Sequence, residues 1–209
     1  MIRAIAFDMD GVLIEAKDWH YEALNRALRL FGFEISRYDH LTTFDGLPTR
    51  RKLELLSAEH NLPHALHGFI NDMKQAYTME IVASRCKPRF IHEYALSRLR
   101  AEGLLLAVCS NSVRSTIEVM MRHAALAPYL SFILSNEDVR RPKPDAEMYQ
   151  LAAARFGCAP DEMLIVEDNE HGLRAARESG AHVMAVQRVE DVSYAAIAAR
   201  IAEIQKAAA

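Results

Sequence analysis

A doubly wound α/β sheet with a small all-helical insert after its first strand is what this sequence predicts, on three observations. Short apolar runs recur along the chain, and each ends in a polar cluster. Amphipathic helical patterns lie between them. One stretch, from about Asp18 to Arg85, breaks the alternation and carries helical patterns only.

The runs are Ile2–Phe7 ending at Asp8, Leu104–Cys109 ending at Ser110-Asn111, and Phe132–Leu134 ending at Ser135-Asn136-Glu137-Asp138. Then come Met163–Val166 ending at Glu167-Asp168 and Val183–Val186 ending at Gln187-Arg188. Runs this short, without alternation, suit strands buried on both faces of a parallel sheet. Val113, Ile117, Met120, Met121 and Ala124 share one helical face, with Ser112 as the expected N-cap. Met148, Ala152, Ala153 and Phe156 share another, begun at Asp145 and closed by Gly157. A third helix is expected from about Gly172 to Gly180, where glycine suits a left-handed C-cap. Tyr194, Ile197, Ile201 and Ile204 mark the last.

In the insert, Trp19, Ala23, Ala27 and Phe31 recur at helical spacing. A second helix is expected to open near Pro48, and a third to cover about Pro63 to Met79. The expected division is therefore a core domain of residues 1–16 and 86–209 and a helical domain of residues 17–85.

Composition narrows the function. The chain of 209 residues has a formal net charge of -3, with 51% hydrophobic and 25% charged residues, which excludes a disordered or fibrous protein. That balance argues against nucleic acid or an anionic membrane as partner, since both call for a basic face. Leu104–Cys109 is far shorter than the ~20 residues a spanning helix needs. Met1-Ile2-Arg3 leads straight into the first strand without a leader pattern. Cys86, Cys109 and Cys158 show no zinc or CxxC spacing, so a reduced, cytoplasmic setting is expected. A monomer or weak homodimer is expected.

The chemistry gathers where strands end. The first strand delivers Asp8-Met9-Asp10-Gly11, two carboxylates two residues apart with a glycine that lets the chain turn sharply. Read alone, Asp10-Gly11 also suits a solvated turn. The fourth strand adds Glu167-Asp168. In a doubly wound sheet ligands sit at the carboxyl ends of the strands. If the two loops meet there, four carboxyl groups converge, and an oxygen-liganded hard cation, most simply Mg²⁺, is the physical answer. The alternative for Glu167-Asp168 is capping the following helix.

Ser110, at the mouth of the second strand, offers a hydroxyl and nearby backbone N–H groups that can hold an anion, or equally a plain N-cap. Lys143 stands between prolines in Arg140-Arg141-Pro142-Lys143-Pro144-Asp145, which stiffens the backbone that aims its ammonium.

The order of Asp8-Met9-Asp10-Gly11-Val12-Leu13, Ser110-Asn111, Lys143-Pro144 and Glu167-Asp168 resembles the haloacid dehalogenase-like hydrolase superfamily, along essentially the whole chain. The Asp10-Gly11-Val12-Leu13 tail, the helical insert and Glu167-Asp168-Asn169-Glu170-His171-Gly172-Leu173 look like the branch of β-phosphoglucomutase and related sugar-phosphate phosphatases. The resemblance implies a Rossmann-like core with the insert as a cap. It implies Asp8 as nucleophile, Asp10 as general acid and base, and Mg²⁺ held by Asp8, the Asp10 carbonyl and Asp168, with Glu167 a close partner. Ser110, the backbone around Asn111, and Lys143 would bind phosphoryl oxygens. His20 matches the spacing of a cap histidine in β-phosphoglucomutase, although it also fits a packed core position. Arg50, in Gly46-Leu47-Pro48-Thr49-Arg50, is the expected second anionic contact. Two departures stand out. Asn169 follows the acidic pair where relatives often have Ser or Thr, and Lys87-Pro88-Arg89-Phe90 replaces a Pro-Gly turn.

The leading expectation is thus a Mg²⁺-dependent phosphatase of a small phosphorylated metabolite, such as a sugar phosphate. The alternatives are a phosphomutase, motivated by His20, and a non-catalytic phosphate-metabolite binding protein. A dehalogenase reaction has no need of these metal and phosphate groups.

Overall fold

The structure is a computed structural model that describes residues 1–207; the end of the Ala-rich tail lies outside the described residues. The chain opens with β1 (Ala4–Phe7) and then runs through α1 (Lys17–Arg29), the single turn α2 (Arg37–Asp39), α3 (Thr49–His60) and α4 (His67–Arg85). It continues with α5 (Phe90–Ala101), β2 (Leu105–Cys109), α6 (Arg114–His123), β3 (Phe132–Leu134), α7 (Glu147–Phe156), β4 (Met163–Glu167), α8 (Glu170–Glu178), β5 (His182–Ala185) and α9 (Tyr194–Ala207). Two compact units result. One is Met1–Glu15 with the described chain from Lys87 onward, and the other is Ala16–Cys86.

In the first unit the five strands form one parallel sheet in the order β3-β2-β1-β4-β5. The register pairs Ala6 with both Ala107 and Ile165, and Phe7 with both Val108 and Val166. Ala4, Ala6, Ala107, Cys109, Met163 and Ile165 therefore face one side, where they pack with Met148, Tyr149, Ala152 and Phe156 of α7 and Ala175 and Ala176 of α8. The small side chains of the central strands let α7 lie close to the sheet. Ile5, Phe7, Leu106, Val108, Leu164 and Val166 alternate to the other side and are equally buried, which is why the runs lack polar alternation. Chain order reverses between β1 and β4, and the carboxyl ends of these neighbours lie side by side.

The second unit is helical. Leu24, Ala27 and Leu28 of α1, Leu53 and Leu56 of α3, and Ile70 of α4 close its core around Phe44. Trp19 is half-buried and stands outside that core, while Ala23 is fully buried with Leu24, Ala27 and Leu28, and Phe31 packs against the core.

Three elements differ from expectation. The last helix of the insert covers His67–Arg85 after a separate 3-10 turn at His64–Leu66. Ser112 does not cap α6; the N-cap is Val113, with no side-chain bond, because the Ser112 hydroxyl donates to Asp10 Oδ2 at 3.2 Å. Finally, α5 was not expected: its Phe90 and Tyr94 are exposed, so its apolar residues do not mark a single buried stripe.

Candidate active site

Three strand ends and one loop build the site. β1 ends into Asp8, whose N–H donates to the Val166 carbonyl of β4 at 2.9 Å. Gly11, at φ 91, then reverses the chain so that the N–H groups of Leu13 and Ile14 return to the Met9 carbonyl. Asp10 is thereby turned toward Ser112 in the loop after β2. β4 carries Glu167 at its last position, and Asp168 follows. The α8 N-cap is Asn169, whose Oδ1 accepts from the Gly172 N–H at 3.0 Å, so the acidic pair is released from capping duty.

At the centre stands Lys143, 3% exposed. Its ammonium donates to Asp8 Oδ1 at 2.7 Å, to Glu167 Oε1 at 2.6 Å and to the Cys109 carbonyl at 2.8 Å, which uses all three of its protons. Its main chain is clasped by Asn111, and Asn136 in turn donates to the Asn111 carbonyl at 2.9 Å. The Tyr149 ring lies 4.8 Å from the ammonium, and the Tyr149 hydroxyl donates to Glu167 Oε1 at 2.7 Å. Glu167, fully buried, also accepts at Oε2 from the Asp168 N–H (3.0 Å) and the Asn169 amide (3.3 Å).

The charges do not balance around one ammonium. Burial raises the Asp8 carboxyl well above its ordinary range; Lys143 opposes this, while Glu167, Asp168 and Asp10 add to it. Burial pulls Lys143 down, but Asp8 and Glu167 outweigh it and hold the ammonium charged above its usual range. Burial lifts the Tyr149 phenol well above normal and the Cys109 thiol up to about 12, so both stay neutral. One oxygen each of Asp8, Glu167 and Asp168 lies within 4.8 Å of the others. Hard oxygen donors in negative excess fit a hard divalent cation.

The structure brings together Asp8, Asp10, Ser110, Asn111, Lys143, Glu167 and Asp168, all within the sheet unit. The expected anion cradle is narrower than a helix start, since Glu137 Oε2 already accepts the Arg114 N–H at 2.6 Å. It reduces to Ser110, buried, and the turn whose Ser112 N–H donates to Ser110 Oγ at 3.1 Å. His20 and Arg50 belong to the helical unit. His20 Nδ1 lies 3.3 Å from Lys74 Nζ, and the highly exposed Arg50 pairs with Glu54 at 3.3 Å. Sequence reasoning missed Tyr149, Ser112, Asn136 and Gly172. For Tyr149 a signal existed, because its phenol on an otherwise apolar helix face must find a buried partner.

A parallel sheet with an acidic, lysine-bridged centre at its switch point defines an α/β enzyme of the kind whose chemistry sits at strand ends. Residues 5–186 match the family model of haloacid dehalogenase-like hydrolases, and the chain belongs to that family. It is 25% identical over 182 residues to a phosphorylated carbohydrates phosphatase of Thermotoga maritima, covering 86% of this chain and 82% of the relative. Against a phosphoglycolate phosphatase of Escherichia coli it is 25% identical over 198 residues, covering 86% and 79%. A crystal structure of β-phosphoglucomutase from Clostridium difficile superposes with a TM-score of 0.84 at 18% identity, covering 99% of this chain and 100% of that one, a likeness of fold. Among the described residues no helix is long and apolar enough to cross a membrane.

Proposed function

We propose that the protein is a Mg²⁺-dependent phosphatase that hydrolyses a small phosphorylated metabolite, such as a sugar phosphate, through an aspartyl-phosphate on Asp8. The observation that carries this reading is the bridge from Asp8 Oδ1 through Lys143 to Glu167, with Asp168 beside it. The relatives named above, a phosphorylated carbohydrates phosphatase and a phosphoglycolate phosphatase, support the substrate class.

Lys143 occupies Asp8 Oδ1, so Oδ2 is the oxygen that attacks phosphorus. As the ester P–O bond breaks, Asp10 gives its proton to the leaving oxygen; it then takes a proton from the water that cleaves the acyl phosphate. Ser112 holds the carboxyl of Asp10 through its Oδ2 and fixes its direction. Ser110 and the main chain at Asn111 hold the phosphoryl oxygens, and Lys143, whose three protons are committed to Asp8, Glu167 and the Cys109 carbonyl, adds its positive charge beside them. Asp8, Asp168 and the Asp10 main-chain carbonyl would hold Mg²⁺. The ion would neutralise the excess of carboxylates and the charge on phosphorus. Glu167 stays back from it, because its lone pairs are already committed to four donors. His20 and Arg50, of the helical unit, are proposed as contacts for the substrate's remaining groups.

The test is release of inorganic phosphate from an aryl phosphate and from a panel of phosphorylated metabolites. Activity should require Mg²⁺, stop with EDTA, and vanish in Asp8→Asn. Full-rate turnover by Asp8→Asn would overturn the assignment.

A further inference from the structure

We propose that Gly172 is a positioning residue. The space left by its missing side chain is the seat of the Glu167 carboxylate, and through that carboxylate it holds Lys143. The role in turnover rests on the function proposed above.

The local argument is steric. Gly172 lies in the first turn of α8, a regular helix whose residues favour alanine over glycine on propensity alone. Its backbone needs no glycine, since it is absent from the positive-φ positions of the chain. The requirement comes from a neighbour: a Cβ built on Gly172 would fall on the Glu167 carboxylate, overlapping Oε1, Cδ and Oε2. Asn169 pins this contact by accepting the Gly172 N–H with Oδ1 while its amide reaches Glu167 Oε2. On the Oε1 side, Tyr149 and Lys143 close the seat with their two short donors.

The carboxylate is thus walled on every described side by donors or by the glycine, and it is fully buried. A side chain at position 172 cannot be absorbed by a swing toward solvent. It must shift the carboxylate, and the same Oε1 that moves carries the Lys143 ammonium, which also fixes Asp8. Backbone-only roles for glycine do not predict this dependence on the length of residue 167.

The experiment is a double-mutant cycle on the full chain with Gly172→Ala and Glu167→Asp, read by melting temperature and by phosphate release. In the parent background Gly172→Ala is expected to lower the melting temperature by roughly 5 °C and turnover on the order of 10- to 100-fold. In the Glu167→Asp background, where the acid withdraws by one methylene, the same substitution should lower neither. Equal effects in both backgrounds would overturn the seat, as would a Gly172→Ala protein that melts above the parent. If Gly172→Ala alone does not fold, recovery of folding in the double variant is the supporting result. Failure of the double variant where Glu167→Asp folds is the opposing one. The melting cycle needs no activity. Coupling in melting without phosphate release from any substrate would leave the seat standing and remove the proposed function. Phosphate release with additive melting would do the reverse.

Discussion

Asn111 holds the main chain of Lys143 from both sides: its Oδ1 accepts the Lys143 N–H at 3.0 Å and its Nδ2 donates to the Lys143 carbonyl at 2.9 Å. The two residues are far apart in sequence, Asn111 just past the end of β2 and Lys143 in the loop between β3 and α7, so this clasp fixes where the lysine loop docks. Asn111→Ala removes both bonds, with an expected stability loss of about 1–3 kcal/mol. Asn111→Asp keeps the acceptor and sets a carboxylate against the Lys143 carbonyl, and it should recover less than half of that. Urea denaturation of the two variants checks the order. Turnover should fall in both with KM little changed, since the ammonium loses its aim rather than the substrate its contacts.

Lys143→Met strips the only ammonium shown bonding to Asp8 and Glu167 and leaves two buried carboxylates facing each other. Removing one partner of a buried charge cluster costs about 3–5 kcal/mol. The loss should shrink on acidification, because protonating one carboxyl relieves the repulsion. Phosphatase activity should disappear. Denaturation at pH 7 and pH 5, side by side with the parent, measures both the size and the direction.

Removing a charge instead of its counter-ion should act in the opposite sense. In EDTA, Asp8→Asn relieves a carboxyl that burial and three neighbouring carboxylates disfavour, and Asn still offers Oδ1 to Lys143. The variant should therefore melt no lower than the parent without metal. With Mg²⁺ at about 100 times its Kd the parent should gain about 2.7 kcal/mol, a rise of roughly 5–10 °C. Asp8→Asn and Asp168→Asn should gain little. A parent whose melting temperature ignores Mg²⁺ would remove the ion from the site.

Much of this centre was legible because the strands are short and end on charge. Asp8, Ser110 and Glu167 each stand at or just past the end of an apolar run, so a parallel sheet places them near one edge, while Lys143 was marked by the prolines on either side of it. What the sequence hid is the wiring. Ser112 looks like a helix cap and is a tether for Asp10, a choice made by tertiary distance. Gly172 reads from the sequence as the start of a helix, and its contact with a carboxylate five residues upstream shows only in the fold. Tyr149 was lost among the apolar residues of α7, since one hydroxyl hardly alters a hydrophobic pattern. The helix Phe90–Ala101 escaped because its exposed aromatic residues, Phe90 and Tyr94, blur the stripe formed by Ala95, Leu96 and Leu99.

The helical unit carries a stability switch of its own in His40, 1% exposed and packed against the Tyr21 ring at 5.0 Å with the two planes tilted by 43°. Burial, with help from the Lys52 charge and against the pull of Asp45, lowers its pKa from 6.5 to about 4. The unfolded chain therefore takes up this proton first as pH falls. The stability due to a neutral His40 is complete above about pH 6.5 and drains away toward pH 4. At about 1.36 kcal/mol per unit, the loss between pH 6.5 and pH 5 is about 2 kcal/mol. His92, buried and also lowered, adds in the same direction. His40→Phe keeps a ring beside Tyr21 and cannot titrate. Its urea midpoint should fall less between pH 7 and pH 5 than the parent's, by an amount matching that energy, while His92 contributes equally to both. Parallel midpoints for the two proteins across that range would show that His40 is not charged on unfolding, and the assignment would fail.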